Sequence, residues 1–260
     1  MLGMARKQPN TRPNFRENGP PCVPDGTRVY AIGDIHGRMD LLNRLLRRIG
    51  TDSVRAGADR NVLVCLGDYV DRGPNSRAVI DALAQDPMKG FEVYCLLGNH
   101  ESIMLEFLSE PGFGEHWIFN GGDATLESYG VKAPDPHADT FDPTDLRRAA
   151  RELKEALPDS HNAFLRNLTL SHSEGDYFFV HAGIRPSVAL DDQDPVDMIW
   201  IRETFTNNDR RHPLMIVHGH TVTNAPVVRD NRIGIDTGAY HSGTLTALVL
   251  EGDQKDFIQT

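Results

Sequence analysis

A chain of 260 residues with 39% hydrophobic content can bury one substantial core, and nothing in its length forces a second domain. A formal net charge of -10 excludes a broad cationic surface for wrapping nucleic acid or lying on anionic lipid, so any phosphate must be held locally. The three cysteines, Cys22, Cys65 and Cys95, cannot all pair, and the last two sit in apolar runs that suit buried thiols; a reducing, cytoplasmic setting is the expectation.

Residues Met1 to Pro24 are rich in Pro, Asn and Arg and lack the apolar stretch of a secretory signal, so 1–24 read as a mobile tail and 25–260 as one domain. No window approaches the roughly 20 apolar residues of a membrane-spanning helix. The expected state is a monomer with no nucleic-acid or membrane partner. Arg28 to Ile32 predicts the first strand, and the stripe Leu41, Leu42, Leu45, Leu46 and Ile49 predicts an amphipathic helix after it. Asn61 to Leu66 repeats the strand signal. Pro74-Asn75-Ser76 offers N-cap chemistry for a helix to about Ala84. Phe91 to Leu97 is the third predicted strand, with a helix from about Glu101 to Leu108.

From Pro111 to Leu168 the βα rhythm breaks, which predicts an insertion. Leu146, Ala149, Ala150, Leu153, Ala156 and Leu157 mark one helix in it, and Asp159 can cap another reaching Leu168. Beyond it the period shifts towards two, with strands expected at Thr169 to His172, Tyr177 to His181, Leu214 to His218, Ala225 to Arg229, Ile233 to Asp236 and Thr244 to Leu250.

Three strands end in an apolar run followed by Gly and metal-liking side chains: Gly33-Asp34-Ile35-His36-Gly37, Gly67-Asp68-Tyr69-Val70-Asp71-Arg72-Gly73, and Gly98-Asn99-His100-Glu101. Glycine lets the chain turn there, and the strand ends of α/β sheets are where sites are assembled. His181 and His220 follow the same rule. Carboxylate, amide and imidazole donors make a mixed N/O set that suits Mn, Fe or Zn, and six ligands (Asp34, His36, Asp68, Asn99, His181, His220) suit two ions sharing a carboxylate. His218, two residues before His220, should face the other side of its strand. His241 is the remaining histidine most expected to border the pocket.

This ordered set resembles the phosphoprotein phosphatase branch of the calcineurin-like metallophosphoesterases, in its bacterial and phage form, over Arg28 to about Leu250. The resemblance implies an α/β fold with a central mixed β-sandwich flanked by helices. It implies that Asp34 and His36 bind one divalent ion, that Asn99, His181 and His220 bind the other, and that Asp68 bridges them, with Mn²⁺ the leading metal. A metal-bridging water would then attack phosphorus in line. His100 resembles the family's general acid, Asp71 the carboxylate that orients it, and Arg72 and Arg202 the grip on phosphate oxygens.

The implied activity is hydrolysis of phosphate monoesters, with protein phosphoserine or phosphothreonine as the leading substrate and a small phosphoester as another. Leu97 departs from many eukaryotic relatives, which carry an arginine before Gly-Asn-His-Glu. The alternative is a hydrolase of dinucleoside polyphosphates such as diadenosine tetraphosphate. The resemblance gives those enzymes the same ligands but usually not the second aspartate, which is present here as Asp71. A non-catalytic phosphate-binding scaffold is the reading from a different class, and the intact His100 and Asp71 weigh against it.

Overall fold

Alternating apolar side chains in the first strand demand cover on both faces. A computed structural model describes residues 19–136 and 140–260. In it β1 (Thr27–Ile32) sends Val29 and Ala31 to one side and Tyr30 and Ile32 to the other, and all four are fully buried. β2 (Arg60–Cys65) and β3 (Phe91–Cys95) lie parallel to it in register, Ile32 opposite Cys65 and Cys65 opposite Cys95. Parallel neighbours need crossovers, supplied by α1 (Met39–Ala56) and α2 (Ser76–Ala84). The predicted leucine stripe of α1 is its buried face, and Gly57 ends the helix in the left-handed conformation that glycine adopts without strain.

The order in which the strand ends meet follows from this topology. α3 (Asn99–Ser109) begins two residues earlier than expected, so Asn99 and His100 stand in its first turn, directly after β3. The second sheet holds β4 (Ser171–Glu174), β5 (Tyr177–Val180), β6 (Met215–His218), β7 (Val227–Val228) and β8 (Arg232–Gly234) in the order β4, β5, β6, β8, β7, with β5, β6 and β8 mutually parallel. β9 (Thr246–Glu251) returns antiparallel to β1, and β10 (Gln254–Gln259) completes the first sheet beside it. Val29, Val62 and Leu248 of one sheet face Tyr177, Phe179 and Val217 of the other across a shared apolar layer. Helices cover both outer faces, giving the mixed sandwich flanked by helices that the resemblance implied.

The insertion runs through α4 (Gly114–Trp117), a π-helical turn, α5 (Asp123–Ser128), α6 (Pro143–Ala156) and α7 (Asp159–Asn167). Trp117, Leu126, Leu146 and Leu153 join the core beneath the first sheet. After β5 come α8 (Pro195–Trp200) and α9 (Glu203–Thr206), and after β8 comes α10 (Ala239–Ser242), three short helices with no advance signal. The predicted tail differs at its end. Residues 1–18 lie outside the described residues, but Val23 is 2% exposed, its N–H bonds Gly252 O at 3.0 Å, and Cys22 N–H bonds Asp176 at 3.0 Å. Among the described residues no helix is long and apolar enough to cross a membrane.

Candidate metal centre and active site

The parallel strands bring the ends of β1, β2 and β3 to one edge, and β5, β6 and β8 deliver theirs to the same place. Asp34 after β1 accepts the backbone N–H of His220, which follows β6, at 3.0 and 3.2 Å. Gly219 makes this approach possible, because a Cβ there would collide with Asp34 Oδ1. Gly98 does the same below Asp68, whose N and Oδ1 occupy the space a side chain would need.

Asp68 is the centre of the cluster. Its Oδ2 faces His36 Nε2 at 3.6 Å and His100 Nε2 at 3.9 Å, while its Oδ1 faces His181 Nε2 at 3.4 Å. Two donor groups result, His36, Asp68 and His100 on one side and Asp68, His181 and His220 on the other, with ligand atoms within 4.8 Å of one another in each. Asn99 Oδ1 lies 2.9 Å from His181 Nε2 and so joins the second group.

His36 and His181 are fixed in the tautomer a metal needs. His36 Nδ1–H donates to Val70 O and His181 Nδ1–H to Leu66 O, both at 2.9 Å, which leaves each Nε2 as a lone pair facing Asp68. Burial drives the imidazoles of His36 and His220 down to about 3 and about 2 and lowers that of His181, so all three stay neutral and ligand-ready at neutral pH. His220 Nε2 is buried with no hydrogen-bond partner. Burial, and then the charge of Asp236, push Asp34 well above the carboxylate range, and Asp236 itself rises to about 6 through burial. An orphaned imidazole nitrogen and two carboxyls crowded together are what divalent cations would relieve, so the residues fit a dinuclear metal site.

Asp236 was not singled out in the sequence. It follows β8 by the rule that located His181 and His220, and its carboxyl lies close enough to Asp34 for the two to shift each other's protonation. Glu101 was also missed. This fully buried carboxylate accepts the backbone N–H groups of Gly98 at 3.1 Å, Asp68 at 2.9 Å, Tyr69 at 2.7 Å and Val70 at 3.1 Å, tying the β2 loop to the start of α3. Glu101→Gln turns an amide NH₂ onto those donors. It is expected to cost about 1–3 kcal/mol, read as a lower midpoint in urea unfolding with an unchanged slope.

His100 sits beside the metal donors. Its Nδ1–H donates to Asp71 Oδ2 at 2.7 Å, which leaves Nε2 to carry a proton towards the site. Burial works against charge on His100, but Asp68 and then Asp71 outweigh it, and its proton is held above the usual histidine range. Burial also pushes Asp71 up, yet Asp71 accepts three donors: His100, Trp117 Nε1–H at 3.0 Å and Thr125 Oγ1–H at 2.7 Å. A carboxylate is the form that satisfies all three, so the proton resides on His100. Trp117 and Thr125 come from the insertion, which therefore builds part of the site. Trp117→Phe keeps an aromatic ring in the core, although a smaller one, and removes the donor. We expect turnover of a phosphoserine peptide to fall about tenfold to a hundredfold, and that of p-nitrophenyl phosphate, whose leaving group needs less protonation, to fall less.

Arg72 and Arg202 reach the site from opposite sides. Arg72 Nη1 lies 2.7 Å from His36 Nε2, and that nitrogen can serve the guanidinium or a cation but not both. Arg202 Nη1–H donates to His220 O at 3.2 Å. Tyr240 borders the cluster: its ring packs edge-on against His36 at 5.4 Å and lies 4.8 Å beneath the Arg72 guanidinium, and the exposed His241 ring packs against Tyr240 at 4.7 Å. His218 stays out of the cluster, as expected, with Nδ1–H on Gly219 O and its ring against Phe205. Leu97 is buried in the helix-side core and offers phosphate nothing.

Five non-glycine residues have positive φ among the described residues: His36 (45°), Asp68 (52°), Asp71 (72°), Arg72 (67°) and His220 (60°). Every one is a site residue named above. Such backbone costs about 1–3 kcal/mol per residue and persists where its surroundings impose it, which is the mark of a functional cluster. The restraints are visible: Ile35 and His36 N–H both bond Asp68 O, and Arg72 N–H bonds Gly121 O.

The chain is similar to known proteins along most of its length. A symmetrical bis(5'-nucleosyl)-tetraphosphatase of Dechloromonas aromatica is 35% identical over 158 residues, covering 61% of this chain and 44% of that protein, so the match spans less than half of that relative. An asymmetrical bis(5'-nucleosyl)-tetraphosphatase of Bacillus thuringiensis is 27% identical over 231 residues, covering 84% of this chain and 88% of the relative. Two solved structures share the fold. A candidate diadenosine tetraphosphatase matches with TM-score 0.60 at 21% identity, covering 93% of this chain and 98% of the other. A cold-active protein tyrosine phosphatase matches with TM-score 0.58 at 17% identity, covering 92% and 82%. The sequence model of the calcineurin-like phosphoesterases matches residues 27–248, and the chain belongs to that family.

Proposed function

We propose that this chain is a metal-dependent phosphohydrolase acting on dinucleoside tetraphosphates. Similarity across 84% of the chain and 88% of a relative carrying that name is the observation behind the substrate class. Hydrolysis itself rests on Asp68, whose two carboxylate oxygens face opposite histidine groups. Asp34, His36, Asp68, Asn99, His181 and His220 would hold two divalent ions, Mn²⁺ being the leading choice with Fe or Zn also suited to the N/O set. When bound, these supply an acidified water and positive charge for the phosphate oxygens. Arg72 and Arg202 bind the remaining phosphate oxygens, and His100 delivers a proton from Nε2 to the leaving oxygen while Asp71 holds its ring.

This shifts the weight that the sequence placed on protein phosphatase. Asp71 was the discriminating residue there. It is fully buried and hydrogen-bonded to His100, which supports a role in holding that histidine over one in contacting substrate. One observation still favours a phosphomonoester as the second reading: a histidine whose proton is held high suits a leaving alkoxide, which a phosphoserine releases and a phosphoanhydride does not. Turnover of diadenosine tetraphosphate and of a phosphoserine peptide under matched Mn²⁺ separates the two. The expected result is the higher kcat/KM on the dinucleotide, and preference for the peptide overturns the proposal. Metal-replete protein that fails even on p-nitrophenyl phosphate would return the chain to the scaffold reading.

A further inference from the structure

We infer that the site has two nucleoside ends, one built by Tyr240 with Arg72 and the other by Trp200 with Arg202, on opposite sides of Asp68. The inference rests on the dinucleotide reading and adds to it the residues that would select such a substrate.

From Asp68 the aromatic rings run outward in two directions. Beyond Oδ2 lie His36 and His100, 4.6 Å apart, and then Tyr240, edge-on to His36. Beyond Oδ1 lie His181 and His220, 5.0 Å apart, and then Trp200, 6.1 Å from His220 at 87°. Each end has an arginine: the Arg72 guanidinium lies over the Tyr240 ring, and Arg202 is anchored on His220 O. The two ends come from unrelated elements, α10 and the C-terminus of α8, yet offer the same pair of groups.

Tyr240 is 38% exposed, and Trp200 is half-buried with its side chain also packed against the helix-side core, so each residue keeps part of its surface beside the charged centre. Neither ring has a task in hydrolysis. An aromatic face or a guanidinium plane stacks on any nucleobase, while arginine also reaches phosphate oxygens. One such end suits a mononucleotide. Two ends about a cationic middle suit a ligand with planar groups at both termini and an anionic chain between them, which is the form of a dinucleoside polyphosphate.

The test compares kcat/KM for diadenosine tetraphosphate with kcat/KM for p-nitrophenyl phosphate in Tyr240→Leu and Trp200→Leu, with Tyr240→Phe and Trp200→Phe as ring-retaining controls. Each leucine variant is expected to lower that ratio about tenfold, and each phenylalanine variant to restore it. Circular dichroism melting identifies a variant that has merely unfolded, in which case the phenylalanine variant and the binding measurement decide that end. Binding is read separately as quenching of Trp200 fluorescence in metal-loaded protein by a non-hydrolysable methylene-bridged analogue of diadenosine tetraphosphate, where nothing turns over, with Trp200→Phe as the blank. Unchanged ratios in both leucine variants, or absent quenching, overturn the inference while leaving wild-type dinucleotide hydrolysis intact. An effect in only one variant assigns a single nucleoside arm and overturns the two-ended site. Wild-type protein inactive on the dinucleotide overturns the proposed function as well, and that result is distinct from the others.

Discussion

His100→Asn is expected to retain its metal and to lose turnover of a phosphoserine peptide by about 10²–10⁴-fold. The side chain sits in the first turn of α3 with Nδ1–H on Asp71 and Nε2 free, and asparagine keeps a donor near Asp71 but brings no transferable proton to the leaving oxygen. The loss should depend on the leaving group. An alkoxide must be protonated as it departs, whereas a nucleotide leaving through a phosphate oxygen carries its own charge well. The same variant should therefore lose much less on diadenosine tetraphosphate than on phosphoserine. Paired kcat measurements at saturating Mn²⁺, with metal content by atomic absorption, check both halves. An equal loss on the two substrates would remove His100 from proton donation and leave it as a ligand of the His36 and Asp68 group, a place its geometry also permits.

Much of this arrangement was legible because its parts are local. Gly-Asp-x-His-Gly and Gly-Asp-x-x-Asp-Arg-Gly each compress a strand end, a turn and its polar groups into a few residues, and parallel pairing of β1 with β2 and of β2 with β3 forces those ends together. What escaped notice is tertiary. Trp117 and Thr125 lie 46 and 54 residues from Asp71 and reach it only because the insertion folds back over α3. Glu101 looked like part of a motif, but its four backbone donors, spread over two loops, have no sequence signature.

Asp236 was readable in principle, as it follows a strand like the two histidines, but an aspartate before Thr-Gly also reads as ordinary turn chemistry. Tyr240 was not singled out, since facing within a four-residue helix is set by packing. β10 was missed because Gln254, Lys255 and Asp256 make a polar edge with weak strand propensity. The left-handed backbone at Asp68 and His220 was not read from the sequence; glycine announces such a turn far more strongly than aspartate or histidine, whose enrichment there is only several-fold.

Asp68→Asn is expected to remove most of the stabilisation that metal gives the folded chain. In the wild type the carboxylate offers one oxygen to each histidine group. Saturating a site at 100 times its dissociation constant stabilises the fold by about 2.7 kcal/mol, and for a domain of this size each kcal/mol raises Tm by about 2–4 °C. Mn²⁺ should thus raise the wild-type Tm by about 5–10 °C in differential scanning fluorimetry. Asparagine removes the shared charge and leaves one oxygen where two were needed, so the two groups no longer have a common ligand. In chelator the melting temperature of each protein sets its own baseline, and the amide oxygen of the variant can still accept the His100 backbone N–H. On adding Mn²⁺ the rise should shrink to a degree or two, about what a ~100-fold weaker affinity leaves, and calorimetric stoichiometry should fall from two ions to at most one. A full metal-induced rise in Asp68→Asn would show that each ion is held without the carboxylate, and the bridge would have to be sought in the Asp34 and Asp236 pair.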